Sequence, residues 1–211
     1  MLAAITGAAL AAAAGLNAYI PYLFVAVLAR FTDAITLPAS LGWISSWWSI
    51  SLATLLLICE ITLDKIPAVD TINDAVASFI RPSTGGLIFA ATTAAANFEN
   101  SSTLFTQHPW IGVLLGVIFA GITHSGKMTA RPVINAGSFG VGAPVVSMAE
   151  DTTSAALSLT AVFFPIVALV IVIALFALIL WVTFTLVRTS RTLASRRRTA
   201  LRATSKGDAK R

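Results

Sequence analysis

The stretch from Cys59 to Pro82, CEITLDKIPAVDTINDAVASFIRP, decides how this chain is read, together with a later stretch from His124 to Asp151, HSGKMTARPVINAGSFGVGAPVVSMAED. Between them they hold Glu60, Asp64, Lys65, Asp70, Asp74, Arg81, His124, Lys127, Arg131, Glu150 and Asp151, most of the ionisable side chains ahead of the C-terminal tail. The sequence on either side is apolar. A charge is costly to hold in such surroundings, so each of these residues is a candidate for function.

Composition sets the class. Hydrophobic residues make up 57% of the 211 and charged residues 11%, against about 25% charged in soluble domains. A water-soluble surface cannot be built from this. The length suits one bundle of about five to seven membrane spans, with no room for an added soluble domain. Cys59 is the only cysteine, which excludes an intrachain disulfide framework and a multi-cysteine metal site.

The formal net charge of +5 conceals an asymmetry. Residues 188–211 carry nine Lys/Arg and one acid, whereas residues 1–187 carry five Lys/Arg and eight acids. The tail has no aromatic residue and follows directly on an apolar run, so it lacks the base-reading side chains of a nucleic-acid surface. It reads as a disordered cytoplasmic tail that fixes orientation and rests on anionic lipid headgroups. Residues 1–187 then form the transmembrane domain.

Taken in order, residues 2–29 predict a first span, Ala-rich and interrupted near Gly15, Asn17 and Pro21, where a broken helix can line a cavity. The missing positive charge ahead of it argues against a signal peptide. Trp43, Trp47 and Trp48 mark an interface at the start of a second span over about 43–63. Glu60 and Asp64 lie four apart on one helical face near its end. The segment 70–80, with Asp70 as cap and Asp74 in the first turn, predicts a short amphipathic helix lying at the interface and ended by Arg81-Pro82. A short apolar run to residue 98 follows, then a span over about 109–126. Arg131-Pro132 repeats the earlier Arg-Pro ahead of a second short segment, 133–149, interrupted by Gly and Pro. The last helix covers about 155–187.

Loop charges give an orientation. Lys65, Arg81, Lys127, Arg131 and the tail favour the cytoplasm, and the loop 97–109, without Lys or Arg, favours the outside. The expectation is an all-α polytopic bundle of about six spans, some broken, in the cell membrane, with both termini cytoplasmic. Paired short, interrupted segments in two halves of a chain point to a transporter site.

The combination of GLNAYIPYL (15–23), DKIPAVDTINDAVASFIRPSTGG (64–86), HSGKMTARPVIN (124–135) and SMAED (147–151), in order and spacing over roughly residues 5–170, resembles a bacterial membrane family known as domain of unknown function 4126. The resemblance implies an integral membrane bundle in which these positions matter. The family carries no assigned activity, so it implies no substrate.

For function, enzyme motifs are missing: no Gly-x-Ser-x-Gly, phosphate-binding or dinucleotide pattern occurs. His108 and His124 sit at opposite ends of one span, which excludes a His-rich metal site. No catalytic residue, metal or cofactor is expected. A transport reading fits better. Glu60 and Asp64 on the second span can meet Lys127 and Arg131 at the end of the fourth, and carboxylates that exchange a proton can couple solute movement to a gradient. Arg81 and Arg131, each ahead of a proline-started helix, can hold an anionic group at that helix's N-terminus. Asn17, Pro21, Lys65, Asp70, Asp74, His124, Asn135, Glu150 and Asp151 complete the expected pathway for a small polar or anionic solute, which could be lipid-linked. The alternative is a non-transporting scaffold or partner subunit whose charges pair with another protein. A homo-oligomer is compatible with either.

Overall fold

The structure, a computed structural model, describes residues 1–64, 67–95, 105, 107–137 and 142–208, without the side chains at 67–72, 133, 135–137, 143, 186–187 and 189–208. Lys65, the side chains of Asp70 and Asn135, and most of the 97–109 loop lie outside these residues. The described residues form seven α-helices: α1 Leu2–Leu16, α2 Tyr19–Phe31, α3 Trp47–Leu63, α4 Pro67–Thr93, α5 Pro109–Gly137, α6 Gly142–Phe163 and α7 Pro165–Asp208. A 3-10 helix, Ala39–Ser45, precedes α3 and meets it at a bend of 50°. Helices α5 (Pro109–Pro132) and α7 (Pro165–Thr185) are long and apolar enough to cross a membrane, and the bent 3-10/α3 pair makes a third.

Helix α1 is the axis of the bundle. Most of its residues are buried, and they are buried all the way round the helix. Eight of them are alanine, and small side chains let neighbouring backbones approach on every side. Gly7 faces the Phe89 ring, and a Cβ on Gly15 would overlap the carbonyl oxygen of Ala120. Ser154 on α6 donates its hydroxyl to the Ala13 carbonyl at 3.0 Å.

These contacts fix the helix directions. Along α4 and α5, Arg81 meets His124, Gly85 meets Gly116 and Ala120, and Phe89 meets Gly112. The numbering falls on one helix as it rises on the other, so the two are antiparallel. The same reasoning sets α1 antiparallel to α4 (Gly7 with Phe89, Gly85 with Ala11) and parallel to α5 (Gly15 with Ala120 and Thr123). Phe119 stacks on Phe176, and Gly126 abuts Ile179, so α7 runs parallel to α5.

Helix α2 follows α4. Tyr22 and Thr84 border one cavity, and Ala26 packs in one cluster with Leu87 and Ala91. Helix α2 therefore runs back alongside α1. The expected single span over 2–29 is instead a helical hairpin that turns at Asn17. Its arms of 15 and 13 residues are about 22 and 20 Å long at 1.5 Å per residue. The reversal is built by Asn17, whose backbone is extended (φ −142, ψ 123) and whose side-chain oxygen accepts from the amides of Tyr19 and Ile20 at 3.0 and 3.1 Å. That caps α2. Pro21 then sits in the first turn of α2, where its missing N–H costs nothing, and it is no kink.

Other expectations are corrected as well. Arg81-Pro82 does not end a helix. Asp70–Ile80 and the apolar run after it form one helix, α4, with Pro82 inside it. Pro132 likewise lies inside α5. An interior proline costs about 3 kcal/mol, and the packing beyond each one, together with the ion pairs of Arg81 and Arg131, offsets it. The last helix is split at Phe164-Pro165 into α6 and α7. The backbone is helical through the basic stretch to Asp208; Ala, Arg and Leu are strong helix formers, extending a helix that is already nucleated. Finally, because α1 and α7 run the same way, Met1 and the basic end of α7 lie at opposite ends of the bundle.

Candidate functional site

Charges separated by up to 90 positions in sequence meet just beyond the hairpin tip. Helix α3 brings Glu60 and Asp64, α4 brings Asp74 and Arg81, α5 brings His124, Lys127 and Arg131, and α6 brings Glu150. All but Glu150 are buried, and Arg81 is fully enclosed at 0% exposure. Helical spacing explains the convergence. Glu60 and Asp64 are one turn apart, Asp74 and Arg81 two turns, and Lys127 and Arg131 one turn, so each pair shares a face.

Arg81 donates from Nη2 to Glu60 Oε1 at 2.8 Å and from Nη1 to Asp74 Oδ1 at 3.4 Å. Asp64 is the hub. Its Oδ2 lies 3.4 Å from Lys127 Nζ, 3.3 Å from Arg131 Nη2 and 3.9 Å from Arg81 Nη2, while Oδ1 accepts from the Asn73 amide at 2.7 Å. Glu150 takes Arg131 in a two-pronged contact, Nη2 to Oε2 at 2.5 Å and Nε to Oε1 at 3.4 Å, and lies 3.0 Å from Lys127. Asp74 also meets Lys127 and Arg131.

His124 has its tautomer set by its neighbours. Arg81 can only donate, so its 3.1 Å contact to Nδ1 makes that nitrogen the acceptor. Nε2 then carries the proton and faces the Ser78 hydroxyl at 2.9 Å, which itself donates to the Asp74 carbonyl at 2.9 Å. His124 thus ties α5 to α4 as a neutral ring held between Arg81 and Ser78. Ser78 and Asn73 were not among the expected residues. Their signal was weak but present, since both lie on the α4 face that carries Asp74 and Arg81.

The cluster pairs four carboxylates (Glu60, Asp64, Asp74, Glu150) with three bases (Arg81, Lys127, Arg131). With all ionised, one negative charge is left over. A buried site in that state takes up a proton or a cation. Glu60 shows where the imbalance falls: its second oxygen, Oε2, is buried without a hydrogen-bond partner among the described residues, as is Nε of Arg81. The hairpin tip joins from above, where Asn17 Nδ2 donates to Asp151 Oδ1 at 2.8 Å.

Of the expected pathway residues, Asn17, Glu60, Asp64, Asp74, Arg81, His124, Lys127, Arg131, Glu150 and Asp151 come together here. Pro21 belongs to the α2 first turn. The anion-at-a-helix-start role for Arg81 and Arg131 is not supported, since both prolines are mid-helix and both guanidiniums are engaged by carboxylates. Among the described residues, no group of three or more His, Cys, Asp or Glu is arranged to hold a metal ion.

Among the described residues the fold is all-helical, with two or three helices long and apolar enough to cross a membrane and a charge cluster at its heart, the features of a helical-bundle membrane protein. Residues 4–185 match the family described as domain of unknown function (DUF4126), and the chain belongs to it. No curated protein and no solved structure matches the chain.

Proposed function

We propose that this protein is a small permease of the cell membrane, with α3 to α7 as five crossings and α1–α2 as a hairpin that enters the membrane and returns. The observation that carries the reading is the position of the hairpin tip, with Asn17 bonded to Asp151 at the edge of the buried charges. Helix ends that meet inside a membrane, next to ionisable groups, are the usual form of a transporter's binding centre. The leftover negative charge supplies a proton-carrying group, so a small polar solute moving with a proton suits the site. A neutral or cationic solute suits it better than an anion, because the bases are already taken by carboxylates. Nothing in the cluster requires bond chemistry, so the protein is a carrier in this reading and not an enzyme. The basic end of α7 and the turns after α3 and α5 face the cytoplasm, with the basic residues on anionic lipid.

One observation favours the scaffold reading. Each base in the cluster is paired with at least one carboxylate of the chain, as in a static brace that locks four helices together. Water separates the two. With Cys59 replaced by Ser, single cysteines at Glu60, Asp64 and Lys127 are probed in oriented membranes with a membrane-impermeant thiol reagent. Labelling of one position from both sides supports the permease. Labelling from one side only, with position 60 silent, overturns it in favour of the brace.

A further inference from the structure

Beside the charge cluster, α3 stands slightly away from the bundle. Only Ser49, Ala53 and Glu60 of this helix are buried, a narrow stripe of mostly small residues. Two cavities open along it. The upper one, about 150 Å³, is lined by Tyr22, Trp43, Trp48 and Leu52 among others, and the lower one, about 200 Å³, by Cys59, Glu60, Asn73, Val76 and Arg81 among others. Tyr19 and Leu56 border both, so the cavities are consecutive parts of one groove. Leu56, Leu63 and Val76 on its lips are exposed, so the groove opens sideways, toward lipid.

We propose that this groove holds a membrane lipid whose zwitterionic head carries a primary ammonium beside a phosphate. Charge and hydrogen bonding select the head. Glu60 and Arg81 line the lower cavity and are 5% and 0% exposed, so they form its inner wall. Each has a buried atom without a partner among the described residues: Glu60 Oε2, an acceptor, and Arg81 Nε, a donor. An ammonium donates to the first and a phosphate oxygen accepts from the second. The surplus carboxylate of the cluster favours a head with a cationic end and disfavours a purely anionic one. Asn73, with its amide nitrogen used on Asp64, keeps its carbonyl oxygen as a further acceptor.

Geometry selects the lipid. The lower cavity is smaller than the roughly 300–1,000 Å³ pockets that enclose a whole drug-sized ligand, so it takes a head and not a complete molecule. Glu60 lies three residues from the end of α3, about 5 Å from that helix end, at the level of a headgroup. A hydrocarbon chain rising from there follows Leu56 and Leu52 toward the stacked Trp43 and Trp48 rings. No movement of solute is needed, so the groove and the aqueous path stand or fall separately.

Cys59, free, exposed and on the cavity wall, reports occupancy. The full-length protein is placed in nanodiscs of phosphatidylcholine, and its alkylation by N-ethylmaleimide is timed as phosphatidylethanolamine replaces part of the lipid. A cysteine at Ile173 on α7, in a Cys59→Ser background, corrects for bulk changes. Cys59 alkylation is expected to slow about threefold, the protection that two-thirds occupancy gives, with Ile173→Cys unchanged. Phosphatidylglycerol is expected to give no protection, and Glu60→Gln to lose it while remaining folded. Equal rates in all lipids overturn the proposal. So does protection by phosphatidylglycerol, or protection by dodecylammonium without any by phosphatidylethanolamine, which would make the site one for free amines.

Discussion

Replacing Arg81 by Met tests the buried cluster most directly. The two side chains are both long and unbranched, so the change removes charge with little loss of packing. Arg81 is fully enclosed and meets Glu60 at 2.8 Å, Asp74 at 3.4 Å and Asp64 at 3.9 Å. Without it, four carboxylates face two bases, and Glu60 loses the partner that Oε1 has among the described residues. Breaking a buried ion pair from one side costs about 3–5 kcal/mol, which at about 1.4 kcal/mol per decade lowers the folded-to-unfolded ratio at least a hundredfold. The assay is reversible unfolding in mixed micelles, followed by the fluorescence of the five tryptophans. The double variant Arg81→Met/Glu60→Gln removes the stranded charge too, and is expected to recover about 1–3 kcal/mol of the loss. Arg81→Lys should fall between, because it keeps the charge but lacks the planar fork of donors that a guanidinium presents. An Arg81→Met loss within about 0.5 kcal/mol, the range of exposed substitutions, would refute the reasoning, since the charges would then be solvated and not paired. Failure of the Glu60→Gln rescue would refute the assignment of the partner.

Other outcomes are expected from the same structure. A Cβ on Gly116 falls on the Gly85 carbonyl, whereas one on Gly121 meets nothing within 4 Å; Gly116→Ala should cost about 1–3 kcal/mol and Gly121→Ala none, by the same unfolding assay. Asn17→Ala removes the cap of α2 and the partner of Asp151, and should cost about 2–4 kcal/mol, with Asn17→Ser restoring part of it. Short epitopes added at Met1 and at Arg211 should be reached by antibody from opposite faces of sealed vesicles, and access to both from one face would contradict the parallel course of α1 and α7.

The charged residues were the legible part of this chain. Glu60 and Asp64 one turn apart, and Lys127 and Arg131 at the end of another helix, announced that they could meet, and Asp64 does lie within 3.4 Å of both bases. The family resemblance rested on the same motifs. What could not be read was direction. Asn17 in an apolar run gives the same pattern whether the chain continues onward or turns back, because only its neighbours, Asp151 among them, decide which backbone bonds are worth making. The prolines misled for a related reason. Local chemistry says that Pro82 and Pro132 end helices, and long-range pairing of the arginines beside them keeps those helices going. Asp74, placed at a membrane surface by its local pattern, became a bridge between Arg81, Lys127 and Arg131 once α4 was continuous.

The enclosure of α1 has a consequence for how the protein is made. The surfaces that enclose it belong to helices that follow it in the chain, α4 through α7, and so are synthesised after it. At about 22 Å it is shorter than the roughly 30 Å hydrocarbon layer, and its alanines give it little hold on lipid. Helix α1 is therefore seated only once the later bundle that receives it exists. Substitutions that slow the closing of α4 on α5 should then leave a nascent chain with α1 unplaced, exposed to the quality-control proteases of the membrane.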